Sequence, residues 1–211
     1  MKLIGNYLSP YVRRVAISLN AMGLPYELEH ALVFKDPEAV RKYNPLVRIP
    51  ALILDDGETL VDSYAILDAL DELAGPERRL TPASGSARRN IMRITAIGLG
   101  SMEKAQTAFY EVRFHPAAKV HLPWIDHNES RALSGFEYLD HLASNAGDKA
   151  WLADTDSISQ ADITAVVAWT FAVAVRSGLD LAHKFPNLAR FAKRCEAMDE
   201  FAKAPLPDER P

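Results

Sequence analysis

Apolar and polar positions along the chain change period several times, and the changes mark its elements. A short apolar run over Lys2–Asn6 is followed by Val12, Val15, Ala16 and Leu19 at three- and four-residue spacing. This predicts a strand and then a helix over about Pro10–Met22. Tyr26–Ala31 reads as a second strand and Pro37–Tyr43 as a short helix. Ala51–Leu54 and Glu58–Val61 read as two strands joined by Asp55-Asp56-Gly57, a strong hairpin-turn signal. A last helix is expected from about Ser63 to Ala74, with Ile66, Leu67, Leu70 and Leu73 on one face. The order is βαβαββα, an α/β domain with a mixed sheet over residues 1–75.

Breakers and charge are dense from Gly75-Pro76-Glu77-Arg78-Arg79 to Ser84-Gly85-Ser86, and residues 76–86 are expected to be a linker. Beyond it the signals are helical: Ala87 to about Phe114, Trp124 to about Ala146, an apolar run at Ile163–Val175, and Leu188–Ala202. Residues 87–211 therefore read as an all-helical domain ending in a Pro-rich tail, Pro205–Pro211, with little regular structure. Ser159-Gln160-Ala161-Asp162 is a capping box with Asp in place of Glu, a folding device at the start of the apolar run.

Composition narrows the function classes. Of 211 residues, 48% are hydrophobic and 25% charged, the profile of an ordinary globular protein. The net charge of −4 and the dispersed basic residues give no support for nucleic acid or an anionic membrane as partner. The Ile163–Val175 run falls short of the ~20 residues that cross a bilayer, and Met1-Lys2-Leu3-Ile4-Gly5 does not resemble a secretion signal. The expected location is the cytoplasm. The lone Cys195 excludes an internal disulfide or a CxxC motif, and its pattern with Leu188, Phe191, Ala192 and Met198 reads as core. Six scattered histidines without paired spacing predict no metal site.

The junction Ser9-Pro10-Tyr11-Val12 carries the first candidate chemistry. Pro10 suits the first helical position, which makes Ser9 the N-cap. A hydroxyl there, beside backbone N–H groups and the positive end of the helix dipole, can also donate to an anion such as a bound thiolate. No His–Asp partner for a serine hydrolase is recognisable.

"SPYV" after the first strand, "NPLVRIPAL" before the third and "DSYAILDALDEL" after the fourth occur in order, with "SISQADITA" and "FPNLARFAKR" beyond. Together they resemble the cytosolic glutathione S-transferases, most closely bacterial members with serine in the first-helix motif. The resemblance spans essentially the whole chain and implies a thioredoxin-like first domain followed by the helical one. It also implies a cis bond at Ile49-Pro50, whose neighbouring backbone can pair in strand-like fashion with the cysteinyl part of glutathione. Where the family usually has glycine and lysine, this chain has Val47 and Arg48. Asp62-Ser63 resembles the family's acidic-Ser pair, with Ser63 holding the γ-glutamyl carboxylate, or serving only as a cap, and the acid accepting from the ammonium group.

The implied activity is conjugation of the glutathione thiolate to small apolar electrophiles, with Ser9 as thiol-directed donor and Arg48, Ile49, Pro50, Asp62 and Ser63 binding glutathione, the co-substrate, without a metal. Tyr7 is a rival donor. Tyr11, Phe109, Tyr110 and Phe114 are candidates for the electrophile's pocket, or else core aromatics. A homodimer is implied. Two other readings share the same site: a non-catalytic glutathione-binding, carrier or partner protein, and a glutathione-dependent peroxidase or lyase.

Overall fold

The computed structural model describes residues 1–147 and 150–207. It divides into two compact units, Met1–Ala83 together with residues 198–207, and Ser84–Ala197. In the first unit, strands β1 (Lys2–Gly5), β2 (Glu27–His30), β3 (Ala51–Ile53) and β4 (Thr59–Val61) form one sheet in the order β2-β1-β3-β4. β1 runs parallel to β2 and antiparallel to β3, and β3 antiparallel to β4, so the sheet is mixed as expected. Helices α1 (Pro10–Ala21), α2 (Pro37–Arg41) and α3 (Ser63–Ala74) complete the βαβαββα order, with α1 packed against α3.

The core explains the pattern of the first twenty residues. Leu3, Ile4, Val12, Val15, Ala16 and Leu19 are fully buried, as are Leu52, Ile66 and Leu70 from the other elements. Gly5 lets β1 press against α1: a Cβ there would stand 2.5 Å from Val12 Cγ2, and its φ of +150° is rare for other residues. Arg13 and Arg14, which interrupt the apolar positions of α1, are buried too, each 1% exposed. Arg13 Nε donates to the Ala204 carbonyl at 2.9 Å, and Asn20 Nδ2 to the Glu200 carbonyl at 2.8 Å. These bonds tie the short helix α9 (Asp199–Ala202), with its buried Phe201, to α1.

The second unit contains α4 (Gly85–Phe114), α5 (Leu122–Ala146), α6 (Gln160–Val175), α7 (Leu181–Lys184) and α8 (Pro186–Glu196). α4 packs along both α5 and α6, and Gly135 on α5 faces Ser101 on α4 so closely that a Cβ would overlap the serine hydroxyl. α6 is buried along most of its length. Its start is fixed by the expected capping box, in which the Asp162 carboxylate accepts from Ser159 N at 2.9 Å, Ser159 Oγ at 2.6 Å and Leu152 N at 2.8 Å. Asp140 on α5 caps α8 from outside, accepting from Leu188 N at 2.8 Å. Cys195 is fully buried, and burial pushes its thiol up to about 12, consistent with a core residue rather than a redox centre.

The fold class is the one the sequence implied, a thioredoxin-like α/β domain and then a helical domain. Several boundaries differ. The helix expected over Leu188–Ala202 is two, because the chain turns extended at Met198 (φ −80°, ψ 149°) and buries Phe201 in the first unit instead of continuing along α8. α4 begins at Gly85, inside the stretch expected to be linker, and α5 begins at Leu122, before the expected Trp124. Residues 205–207 have no regular structure, and 208–211 of the expected tail lie outside the described residues. No single helix among the described residues is long and apolar enough to cross a membrane.

The buried acceptor at α6 makes a stability prediction. Asp162→Ala leaves two backbone N–H groups without their partner in a dry site and is expected to cost about 3 kcal/mol in urea unfolding. A cost below about 1 kcal/mol would remove Asp162 from its structural role.

Candidate functional site

Three stretches of the first unit each present a prepared backbone. The first is the turn into α1. Asn6 builds it: its Nδ2 donates to the Ala31 carbonyl at 2.7 Å, its Oδ1 accepts from Leu8 N at 3.1 Å, and its carbonyl accepts from Ser9 N at 3.1 Å. Ser9 is the N-cap in extended conformation (φ −74°, ψ 117°), and its Oγ accepts from Val12 N at 3.5 Å, the long end of the range. Pro10 occupies the first helical position. Among the described residues nothing accepts the Ser9 hydroxyl proton. Tyr7 differs in this respect, because its hydroxyl is 2.8 Å from that of Tyr26, and burial together with this bond raises the Tyr26 pKa above the ordinary phenol value.

The second stretch is the loop 44–50. Asn44, 4% exposed, accepts from Leu46 N at 3.0 Å through Oδ1 and donates to the Arg48 carbonyl at 3.1 Å through Nδ2, while its own carbonyl accepts from Val47 N at 2.9 Å. This turn puts Val47 at φ +53°, in the left-handed region. That is the position where the resembling family has glycine, so the loop keeps a glycine-like conformation with a β-branched residue. The Ile49-Pro50 peptide bond is cis.

The third is the entry to α3. Asp62, at φ +70°, is the N-cap, and its Oδ1 accepts from Tyr64 N at 3.0 Å. Ser63 is thus the first helical residue, not the cap that the plain reading of its hydroxyl allowed. It is 3% exposed, and among the described residues neither its N–H nor its hydroxyl has a partner in the chain.

One cavity gathers the last two stretches. Arg48, Ile49, Pro50, Asp62 and Ser63, all five predicted binding residues, line it together, joined by Tyr11 from the first turn of α1. Ser9 lies two residues before Tyr11 and is not itself on the cavity wall. Asn44, Leu46 and Val61 also line it and were not singled out from the sequence. The Asn44-Pro45 dipeptide, a turn-initiation signal, marked the first of these; Leu46 and Val61 carry no such mark. Arg14, buried below the entry to α3, was missed as well and has no sequence signal, since it reads as an exposed position of an amphipathic helix. In the second unit Phe109, Tyr110 and Phe114 form an aromatic row, with ring centroids 5.8 Å and 5.1 Å apart. Phe114 is 46% exposed, which sets that ring outside the core.

The chemistry of the site is that of an anion and peptide receptor: an unpartnered helix N–H and hydroxyl at Ser63, a carboxylate at Asp62, a guanidinium at Arg48 and loop backbone beside Pro50. Set on a thioredoxin-like sheet, these groups can pair with the charged end and backbone of a small peptide-like molecule. A sequence model of the glutathione S-transferase N-terminal domain matches residues 3–78, and one of the C-terminal domain matches residues 127–199. The chain belongs to the glutathione S-transferase family.

Relatives fit that placement. A solved glutathione S-transferase from Methylobacterium radiotolerans JCM 2831, in complex with glutathione sulfonate, superposes with a TM-score of 0.87 at 29% identity, covering 100% of this chain and 96% of that one. A glutathione transferase family member from Pseudomonas fluorescens Pf-5 with bound glutathione gives 0.85 at 26% identity and 98% of each chain. The GST-like protein YibF of Escherichia coli K12 is 30% identical over 119 residues, 56% of this chain and 58% of that protein.

Val47 yields a test of the loop. A β-branched residue in the left-handed region costs about 1–2 kcal/mol, more than the entropy glycine would add. Val47→Gly is expected to raise stability by about 0.5–1 kcal/mol in denaturant unfolding. A loss of stability would mean that the Val47 side chain supports the loop more than its backbone strains it.

Proposed function

We propose that the protein is a glutathione transferase that conjugates glutathione to small apolar electrophiles. The observation that carries this reading is the convergence of Arg48, Ile49, Pro50, Asp62 and Ser63 on one cavity at the entry to α3, with a capped helix start at Ser9 in the same unit. In this reading the γ-glutamyl carboxylate accepts from Ser63 N–H and hydroxyl, and Asp62 accepts from the ligand's ammonium group. The backbone at Ile49-Pro50 pairs with the cysteinyl residue, and Arg48 supplies positive charge at the rim.

The reaction then needs a thiolate. A free thiol has a pKa near ~8.5, so only a few per cent is ionised at neutral pH. A hydrogen bond from Ser9, added to the positive end of α1, favours the thiolate, which attacks the electrophile while the leaving group departs with its electron pair. Ser9 donates and is not itself the nucleophile. Its uncommitted hydroxyl supports it over Tyr7, whose hydroxyl is paired with Tyr26. The resemblance further implies a cytoplasmic homodimer acting in detoxification.

Calorimetry with glutathione and turnover of a generic aryl halide test the reading. Ser63→Ala is expected to weaken glutathione binding about tenfold. Ser9→Ala is expected to lower turnover about 10- to 100-fold with little change in affinity, and Tyr7→Phe to leave both nearly unchanged. Binding without turnover of any electrophile would favour a carrier, and absence of binding would overturn the site.

A further inference from the structure

Val47 is held against its own backbone preference. Residues 44–47 form a tight turn, closed by Val47 N donating to the Asn44 carbonyl at 2.9 Å. Asparagine in the first place and proline in the second suit such a turn, whereas its last place favours glycine. Val47 fills that last place at φ +53°. There a Cβ crowds the following carbonyl, and a branched side chain fits worst of all.

Such a conformation persists only where its surroundings impose it. Asn44 imposes it from both sides: its carbonyl takes Val47 N, its Oδ1 takes Leu46 N at 3.0 Å, and its Nδ2 donates to the Arg48 carbonyl at 3.1 Å. The other tie on the loop, from Arg41 Nη1 to the Pro45 carbonyl, is long at 3.5 Å. Arg48 is exposed, and its guanidinium has no ion-pair partner among the described residues. Each hydrogen bond contributes only modestly once exchange with water is counted, so a few bonds oppose a backbone strain of similar size. Relaxation of Val47 to negative φ turns the next peptide, breaks the bond from Asn44 to the Arg48 carbonyl and carries Arg48 and Ile49 off the cavity wall. The loop supplies Asn44, Leu46, Arg48, Ile49 and Pro50 to that wall, so this one torsion governs much of it.

We propose that Val47 is a positioning residue that sets ligand affinity: its strained backbone keeps the cavity loop in balance between a receptive form and a relaxed one, and the ligand selects the receptive form. The inference rests on the glutathione-transferase reading above and adds to it how tightly the co-substrate is held. Every ligand that pairs with the loop backbone is bound more weakly in proportion to the relaxed fraction, whatever its sulfur carries. Val47 itself is not on the cavity wall. Once the loop is receptive, Val47 adds nothing to the contacts, so its strain acts on the rate of association and leaves dissociation and the chemical step alone.

The test compares wild type, Val47→Gly, Val47→Asn and Val47→Ile by stopped-flow binding and calorimetry with two probes, glutathione and S-methylglutathione, and by turnover of an aryl halide. Val47→Gly, free to adopt the left-handed region, is expected to bind both probes about three- to tenfold more tightly, with the whole gain in the association rate. Its KM for glutathione is expected to fall by the same factor while kcat stays at the wild-type value. Val47→Asn, which tolerates that region, is expected to gain in the same sense by a smaller factor, and Val47→Ile, β-branched like valine, to match wild type. Unchanged or weaker binding by Val47→Gly would overturn the proposal, as would a gain confined to dissociation, a gain for glutathione alone, or an equal gain in Val47→Ile. Should Val47→Gly fail to fold, Val47→Asn against Val47→Ile decides in the same way. Wild type that binds neither probe would overturn the proposed function and this inference together; wild type that binds both at the association rate of Val47→Gly would overturn this inference alone.

Discussion

The first N–H groups of a helix have no partner within it, and this chain meets that constraint differently at each helix where it matters. At α6, buried among other helices, the Ser159 side chain accepts from Asp162 N, the Asp162 carboxylate accepts from Ser159 N in return, and Leu152 N is added to the same carboxylate. At α1 the cap is a serine whose bond to Val12 N is long and whose proton is uncommitted. At α3 the cap Asp62 takes Tyr64 N and leaves Ser63 open towards a cavity. The reciprocally capped start of α6 builds the fold, and the open donors at α1 and α3 are those that the proposed function uses.

Local costs collect around that cavity. Val47 and Asp62 hold positive φ values that L-residues rarely adopt, and Arg14 lies buried without hydrogen bonds at two of its nitrogens. Each is unfavourable for the isolated unit. The compensation lies elsewhere: Asn44 fixes the loop through three hydrogen bonds, Gly5 allows β1 and α1 to touch, and Arg13 with Asn20 clamps α9 onto the outer part of α1. The rigid sheet and its first helix thereby tolerate a strained rim.

The sequence made the frame legible because burial in this chain is periodic. Strand and helix order in the first domain, the Ser159–Asp162 box and the core position of Cys195 follow from apolar spacing and cap chemistry. The residues proposed to bind glutathione were legible for another reason: they sit in short motifs whose order matches a family, and the cis Ile49-Pro50 bond is invisible to periodicity. What could not be read depends on tertiary contact. The break at Met198 arises because Phe201 is buried within the first unit instead of continuing along α8, and nothing local to Leu188–Ala202 marks it. Arg14 looks like a polar position on an amphipathic helix, and only the packing of α3 over it makes it a buried charge. Ser63 and Asp62 exchange roles relative to the plain cap reading because Asp62 adopts a left-handed backbone, which its sequence neighbours do not signal.

In the proposed function, the open helix start at Ser9 turns a bound thiol into a thiolate. Its most direct test is a pH titration of the thiolate absorbance of glutathione bound to wild type and to Ser9→Ala. The apparent pKa is expected clearly below the free value of ~8.5 in wild type and close to it in the variant. The same lowered pKa in both proteins, or a wild-type value equal to that of free glutathione, would contradict it.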